Sequence, residues 1–287
     1  MLENYKILEI NGIKLDFYKE TFVMGILNVT PDSFSDGGQY NSVEKAVAQA
    51  KKMVAQGAKI IDVGGESTRP GGYTRISDEE EIARVVPVIE RLKKEVPAII
   101  SIDTYKSNVA RAAIQAGAHI INDIWGGKAD PHMAQVAAEL NVPIILMHNR
   151  DNSEYGNYFT DFLRDMQQSI ELVKKAGVPA EHIILDPGIG FVKNLAQSIE
   201  TMQRLDELVA LGYPVLLATS RKRMIGAVLD LPVEERIEGT AATCAFGVQK
   251  GCHIMRVHDV KEIARTVKMM DALVGKFEVQ GELAPRH

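Results

Sequence analysis

The sequence predicts a single α/β domain over residues 1–287, folded as a (β/α)8 TIM barrel with an N-terminal β-hairpin over residues 1–20. Two observations carry this prediction: short apolar runs alternate with segments of helical composition, and each apolar run ends in polar residues or glycine. Apolar runs without apolar–polar alternation are typical of strands buried on both faces of a parallel sheet. About eight such units in succession indicate a barrel.

The first predicted element is a hairpin made of two short runs between Tyr5 and Tyr18. Asn11-Gly12 separates the runs, and two-residue hairpin turns favour this dipeptide because both positions take a positive φ. We expect the hairpin to plug the bottom of the barrel.

Eight strands are predicted next, one for each apolar run. In chain order they are FVMGILN from Phe22, KIIDVGG from Lys59, AIISID from Ala98, HIIND from His119, PIILMH from Pro143, HIILDPG from His182, PVLLATS from Pro214 and HIMRVHD from His253. Between them lie segments with apolar residues at three- and four-residue spacing, which is typical of helices packed on a sheet. These include SVEKAVAQAKKMVAQG, SDEEEIARVVPVIERLKKE, SNVARAAIQAG, PHMAQVAAEL and VKEIARTVKMMDALVG.

Glycines mark the ends of the helical segments. Gly57, Gly117, Gly177, Gly212 and Gly251 each follow a helical run and precede a strand. Helices often end there in a left-handed conformation that glycine adopts without a steric penalty. The competing fold is a doubly wound open sheet, which the lack of a GxGxxG motif after any strand disfavours.

Composition excludes several classes of protein. With 46% hydrophobic and 25% charged residues, a chain of 287 residues is neither disordered nor fibrous. A net charge of -5 gives no general attraction to nucleic acid or to an acidic membrane, so neither partner is expected. No apolar run reaches the length of a membrane span. Cys244 and Cys252 suggest neither a disulfide framework nor a thiolate metal site, and we expect a cytoplasmic protein.

The active site of a barrel lies at the carboxyl ends of its strands, and these ends are polar here. Asp103, Asn122 and Asp186 would converge on one mouth. Two carboxylates and an amide suit a flat heterocycle that carries several N–H donors. The other strand-end groups are interpreted as structural support: Asp62, Asp123 and His148.

A basic cluster follows the seventh and eighth strands. The stretch ATSRKRMIG places Arg221, Lys222 and Arg223 at a predicted helix start, where free backbone N–H groups favour an anion. Arg256 and His258 end the eighth strand beside it, at the usual phosphate site of the fold. Side chains alternate in direction along the triplet, so Lys222 would point away from Arg221 and Arg223. For these two arginines, a solvated charge run is the alternative interpretation.

Two long loops follow the first two strands, at Asn28–Tyr40 and Gly64–Ile76. Both are rich in Pro and Gly, and the second carries Arg69 near its tip. Long loops of this kind are commonly lids, so we expect them to close over a ligand. Mobile surface loops are the alternative interpretation.

Several motifs resemble those of the dihydropteroate synthase family of folate biosynthesis. They are, in the family's own order, NVTPDSFSDGG, DVGGESTRPGG, SIDT, INDI, LDPGIGF, SRK and the final RVHD. The resemblance spans the chain from the first strand to the last. It implies a (β/α)8 barrel, usually dimeric, that condenses 6-hydroxymethyl-7,8-dihydropterin pyrophosphate with para-aminobenzoate to 7,8-dihydropteroate and pyrophosphate. Sulfonamides would compete with para-aminobenzoate.

The resemblance also implies roles for individual residues. The pterin would be bound by Asp103, Asn122, Met147, Asp186 and Lys222. The pyrophosphate would be held by Asn28, Arg256 and His258, with Asn28 also contacting a Mg²⁺ ion. Para-aminobenzoate would lie among Phe34, Thr68, Pro70, Phe191 and Ser220. The catalytic residues would be Asp103, Lys222, Asp36 and Arg69, the last two on the mobile loops.

One position departs from the family pattern, because Arg223 stands where many members have Ser after the Lys. Carboxylate recognition would then rest on the backbone N–H groups of the turn and on Ser220. Three alternatives remain open: a methyltransferase that acts on methyltetrahydrofolate with a corrinoid partner, a non-catalytic pterin-binding paralogue, and a Schiff-base aldolase that would use Lys222.

Overall fold

A computed structural model describes residues 7–30, 38–66, 75–279 and 281. Its strands are β1 (Ile7–Ile10), β2 (Ile13–Asp16), β3 (Phe22–Asn28), β4 (Ile60–Gly64), β5 (Ile99–Asp103), β6 (Ile120–Asp123), β7 (Ile144–Met147), β8 (Ile183–Asp186), β9 (Leu216–Leu217) and β10 (Ile254–Val257). Its α-helices are α1 (Gly38–Ala55), α2 (Asp78–Glu95), α3 (Ser107–Ala116), α4 (Met133–Glu139), α5 (Tyr158–Lys175), α6 (Leu195–Gln203), α7 (Leu205–Val209), α8 (Arg223–Leu229), α9 (Ile237–Gln249) and α10 (Val260–Leu273).

The strands β3 to β10 form one parallel sheet in the order β8-β7-β6-β5-β4-β3-β10-β9. The first and last strands of this order meet at a bridge between Leu185 and Val215, where the Leu185 amide donates to the Pro214 carbonyl at 2.9 Å. The sheet is therefore a nearly closed barrel. The predicted (β/α)8 fold is confirmed, and an open doubly wound sheet is excluded because its two edges would lie apart.

The predicted hairpin is present as β1 and β2, with Ile10 paired to Ile13. Asn11 and Gly12 have φ values of 51° and 72°, as a tight turn between twisted strands requires. Leu8 and Leu15 point into an apolar cluster that also contains the first residues of barrel strands, including Phe22 and Ile60. The hairpin therefore closes the amino-terminal end of the barrel, which leaves the opposite end for a site.

The barrel strands are buried on both faces, as their continuous apolar sequence predicts. One strand is shorter than its sequence suggests, since β9 contains only two residues of the run that begins at Pro214. Thr219 and Ser220 leave the ladder and form side-chain hydrogen bonds instead, Thr219 with Thr243 and Ser220 with His258. This early departure frees the segment after β9 to line the carboxyl end of the barrel.

The helix-ending glycines behave as predicted. All five have a positive φ, and Gly117 shows why the position is restricted: at its φ of 126° an added Cβ would lie 2.4 Å from the Lys93 Cδ atom. Among the described residues, the helices are too short or too polar to serve as a membrane-crossing segment.

Candidate active site

A cavity of about 550 Å³ lies at the carboxyl end of the barrel. Every predicted site residue in the described part of the chain lines it. These residues are Asn28, Asp103, Asn122, Met147, Asp186, Phe191, Ser220, Lys222, Arg256 and His258. The strand ends therefore converge as the barrel prediction requires. The other predicted site residues lie outside the described residues, as do parts of both predicted lids: Phe34, Asp36, Thr68, Arg69 and Pro70.

Strand register brings the polar heterocycle-binding candidates together. Asp103 at the end of β5 is the register partner of Asn122 on β6, and Met147 at the end of β7 is the partner of Asp186 on β8. All four side chains are buried. The Gly188 amide donates to Asp186 Oδ1 at 2.7 Å, which fixes that carboxylate. One wall of the cavity therefore presents two carboxylates and an amide beside a thioether.

Arg256 has partners that the sequence did not indicate. Its Nε donates to Asp62 Oδ2 and its guanidinium also donates to Asp103 Oδ2, each at 2.6 Å. Asp62 Oδ2 accepts a further hydrogen bond from Asn122 at 3.0 Å. The predicted anion-binding arginine is therefore already paired with two carboxylates. Asp62, interpreted as structural support, positions both Arg256 and Asn122.

Burial perturbs the ionisation of these groups. It raises the pKa of Asp103 to about 7, although the adjacent Arg256 acts against this rise. It also raises the pKa of Asp186. Among the described atoms, Asp103 Oδ1 is buried and lacks a hydrogen-bond partner. An unpaired buried carboxylate oxygen is costly, so this atom is the natural acceptor for a ligand N–H group.

Lys222 lines the same cavity. Its Nζ lies 4.4 Å from the centre of the Phe191 ring, and burial lowers the pKa of its ammonium to about 8. Arg221 is turned to Asp259, with which it forms two hydrogen bonds of 2.9 and 2.6 Å. Arg223 is exposed, yet all three basic residues border the cavity. Lys222 is therefore the inner cation of the triplet, and the two arginines lie around it.

Ser220 and His258 hold each other in place. The backbone N–H of His258 donates to Ser220 Oγ at 3.1 Å, and Ser220 Oγ lies 2.9 Å from His258 Nδ1. Where the Ser220 hydroxyl donates to Nδ1, the ring carries its hydrogen on Nε2. This tautomer lets His258 act as a hydrogen-bond donor toward an anion.

Asn28, at the end of β3, lies close to Asp103 across the glycine that ends β4. A Cβ atom added to Gly64 would lie 3.5 Å from Asn28 Oδ1 and 3.7 Å from Asp103 Cβ. Within the described ranges there is no group of three His, Cys, Asp or Glu residues that could hold a metal ion. The side-chain oxygen of Asn28 is of the kind that Mg²⁺ takes as a ligand, and a Mg²⁺ ion at this position stays a prediction.

Two groups beside the cavity were assigned no role from the sequence, although Glu66 was among the polar residues noted after the strand ends. Glu66 accepts hydrogen bonds from Tyr105 at 3.0 Å and from Lys106 at 2.7 Å, and it lines the cavity. Lys193 lies behind the wall formed by Gly188 and Phe191. Glu66 was visible as a polar residue shortly after a strand end, whereas nothing in the local sequence marks Lys193.

Comparisons with known proteins agree with this geometry. A family model described as "Pterin binding enzyme" matches residues 24–258. A dihydropteroate synthase of Bacillus subtilis is 57% identical over 275 residues, which cover 96% of each chain. A solved Clostridium difficile dihydropteroate synthase with pteroic acid has a TM-score of 0.87 and 48% identity, covering 90% of this chain and 98% of that one. A Yersinia pestis dihydropteroate synthase with a sulfonamide drug has a TM-score of 0.86 and 40% identity, covering 93% and 98%.

Proposed function

The chain belongs to the dihydropteroate synthases of the pterin binding enzyme family, and we propose how its cavity performs the condensation. The substrates are 6-hydroxymethyl-7,8-dihydropterin pyrophosphate and para-aminobenzoate, and the products are 7,8-dihydropteroate and pyrophosphate. One observation carries the assignment of roles: two carboxylates, an amide and the inner cation Lys222 line a single cavity.

The pterin lies against the polar wall. Its ring N–H and amino groups donate to Asp103, Asn122 and Asp186, and the unpaired Asp103 Oδ1 gains the partner that it lacks. Met147 packs on the ring face. Lys222 donates to the acceptor atoms on the far side of the ring.

The reaction begins with departure of the diphosphate. The bond from the pterin methylene carbon to the diphosphate oxygen breaks, and both electrons leave with the oxygen. The remaining cation is delocalised into the pterin ring, where the Asp103 carboxylate stabilises it because opposite charges attract strongly in a buried site. The amine nitrogen of para-aminobenzoate then bonds to the methylene carbon and loses a proton.

The diphosphate lies toward His258 and Arg256. The Nε2–H of His258, set by Ser220, donates to a phosphate oxygen. Mg²⁺ bound with the diphosphate would be contacted by Asn28 and would supply charge neutralisation to the leaving group. Arg256 borders the diphosphate, and its positive charge offsets the negative charge of the carboxylates near the reaction centre.

Para-aminobenzoate lies toward Phe191, Ser220 and Lys222 in the described part of the chain. The aromatic ring of Phe191 supplies an apolar face, and positioning of this weak amine nucleophile provides much of the rate. Arg223 borders the cavity and adds positive charge on the side of the substrate carboxylate. Phe34, Thr68, Pro70, Asp36 and Arg69 remain predicted contacts. Sulfonamides, which a Yersinia pestis relative binds, are proposed as competitors for this position.

A turnover assay with the purified chain tests this function. We expect both substrates with Mg²⁺ to give dihydropteroate and pyrophosphate in equal amounts. Binding of the pterin substrate without product would indicate a non-catalytic paralogue. Consumption of methyltetrahydrofolate with a corrinoid protein, and no condensation, would indicate the methyltransferase alternative.

Removal of divalent metal is expected to abolish turnover. A chelator should stop product formation because the leaving diphosphate would keep its full charge, and added Mg²⁺ should restore it. The control is release of 7,8-dihydropteroate from a preformed product complex, which should not require metal. Full turnover in metal-free buffer would contradict a role for Mg²⁺.

The pH dependence of kcat/KM should report Asp103. Since burial raises the pKa of Asp103 to about 7, its carboxylate is protonated below that pH and cannot stabilise the cation. We therefore expect kcat/KM for the pterin substrate to fall about tenfold per pH unit well below pH 7. Asp103→Asn should lack this acidic limb. A limb that persists unchanged in the variant would belong to the substrate and contradict the assignment.

The assembly is proposed to be a cytoplasmic homodimer. The apolar side chains of Val228, Leu229 and Phe246 are exposed on the adjoining helices α8 and α9, and burial against a second copy would cover them. Sedimentation analysis should give twice the chain mass of 31.6 kDa. The two cysteines, both buried and reduced, are compatible with the cytoplasm.

A further inference from the structure

Lys193 lies between β8 and α6 and makes three hydrogen bonds with three different groups. Its Nζ donates to the Gly188 carbonyl at 3.0 Å, to the Phe191 carbonyl at 3.2 Å and to His148 Nδ1 at 2.8 Å. Burial lowers the pKa of Lys193 to about 7. In its charged form the side chain is an ammonium with three hydrogens, and these three contacts use all of them. Lys193 does not border the cavity in the described structure.

The third partner, His148, is held as an acceptor. Burial lowers the pKa of His148 to about 3, with the neighbouring Lys193 adding to the effect, so the ring is neutral. Its Nε2 lies 3.1 Å from Asp165 Oδ2. The Nε2–H therefore donates to Asp165, and Nδ1 is left to accept from Lys193.

The two carbonyls belong to a turn that carries the cavity wall. Gly188, whose carbonyl accepts from Lys193, donates through its own backbone N–H to Asp186 Oδ1. Phe191 also accepts from Lys193, and its ring lies on the Lys222 ammonium. A Cβ atom added to Gly190 would lie 3.4 Å from Lys222 Cδ, so the turn also packs on the lysine stem.

The turn has an unfavourable backbone conformation and so requires anchors. Val192 has a φ of 43°, a region that β-branched residues rarely adopt. Its carbonyl accepts from the Tyr155 hydroxyl at 2.9 Å. Contacts on both sides of Val192 therefore hold a conformation that the sequence alone does not favour.

We propose that Lys193 is a positioning residue for the condensation: it fixes the 186–191 turn and thereby sets Asp186 and the Phe191–Lys222 pair, without touching either substrate. The proposal rests on the proposed function for the roles of Asp186 and Lys222. Removing the ammonium leaves the Phe191 carbonyl and His148 Nδ1 without a described donor. The Gly188 carbonyl would keep only the backbone N–H of Phe191, at 3.1 Å.

Lys193→Met tests the proposal, with Lys128→Met as the matched control. Lys128 is an exposed lysine whose Nζ likewise donates to a backbone carbonyl, that of Asn149, and it does not line the cavity. We expect Lys193→Met to lower kcat/KM on the order of 10-fold to 100-fold, with a lower kcat and a higher KM, because small displacements of binding groups have effects of that size. Lys128→Met should stay within about twofold, as expected for a group with no contact to the site.

Trp125 fluorescence measures ligand binding independently of the global stability of the variant. It is the single tryptophan of the chain and packs on the cluster of Tyr105, Ile124 and Met147, as Phe191 also does. Titration of pterin pyrophosphate, followed by Trp125 fluorescence, should show a larger dissociation constant for Lys193→Met than for the wild-type chain. The measurement is made well below the unfolding midpoint of each variant, so that loss of folded protein does not contribute.

Wild-type affinity and kcat in folded Lys193→Met would overturn the proposal. If this variant does not fold, Lys193→Gln carries the test, because its amide can serve at most two of the three acceptors. Its dissociation constant should rise by at least about threefold, the loss of roughly one hydrogen bond, and an unchanged value would overturn the proposal. Failure of the proposed function is distinguishable, since the wild-type chain would then make no dihydropteroate.

Discussion

Asp103→Asn is expected to lower kcat by about 100-fold or more, the size of effect seen when a group that stabilises transition-state charge is removed. The asparagine has the same shape and can still accept a hydrogen bond from the pterin. It lacks the negative charge, which interacts far more strongly with the developing cation than with the neutral ring. The dissociation constant of the pterin substrate should therefore rise much less than kcat falls.

Asp123→Asn is the matched control for this change. Asp123 is also a buried aspartate at a strand end, and its two carboxylate oxygens accept from the Trp125 and Gly127 amides rather than lining the cavity. This variant should lose stability without losing kcat per folded molecule. Near-normal turnover of Asp103→Asn at saturating substrates would leave Asp103 as a binding residue only.

Lys222→Met should reduce kcat/KM on the order of 10²-fold to 10³-fold, because it removes a buried donor that both substrates are proposed to contact. The methionine keeps most of the stem that packs on Gly190, so the turn should stay in place. Steady-state kinetics with each substrate varied in turn measures the effect. A loss confined to KM would assign Lys222 to ground-state binding alone.

The same lysine separates condensation from Schiff-base chemistry. Because burial lowers the pKa of Lys222 to about 8, a substantial fraction would be unprotonated in mildly alkaline solution and able to attack a carbonyl. The condensation passes through no imine, so borohydride should not trap the pterin substrate on the enzyme. A covalent adduct at Lys222 that forms at the rate of turnover would support the aldolase alternative.

The strands, the hairpin and the helix ends were predictable because each depends on local sequence. Two-sided burial makes a strand continuously apolar, and Asn11-Gly12 and the helix-ending glycines meet a local backbone requirement. The convergence of Asp103, Asn122 and Asp186 was also predictable, since parallel strands of a barrel bring their carboxyl ends to one mouth.

The partners of the site residues could not be predicted in this way. Arg256 meets Asp62 and Asp103 across 194 and 153 positions of sequence, and no local pattern encodes such contacts. In the sequence, Lys193 is a charged residue before a helix and is not distinguished from others of that kind. Its proposed role depends on the shape of the 186–191 turn, which only the folded chain shows. Strand-end position identified which residues face the cavity, but not which of them neutralise one another.

An α-secondary deuterium isotope effect tests most directly whether the diphosphate leaves before the amine attacks. The pterin substrate is prepared with two deuterium atoms on the methylene carbon, and single-turnover rates are measured with excess enzyme, Mg²⁺ and saturating para-aminobenzoate. Formation of a pterin cation loosens the bending of these C–H bonds as the carbon becomes trigonal, so the protium substrate should react clearly faster. Equal rates, with the chemical step shown to limit turnover, would contradict a cation stabilised by Asp103 and would indicate direct displacement by the amine.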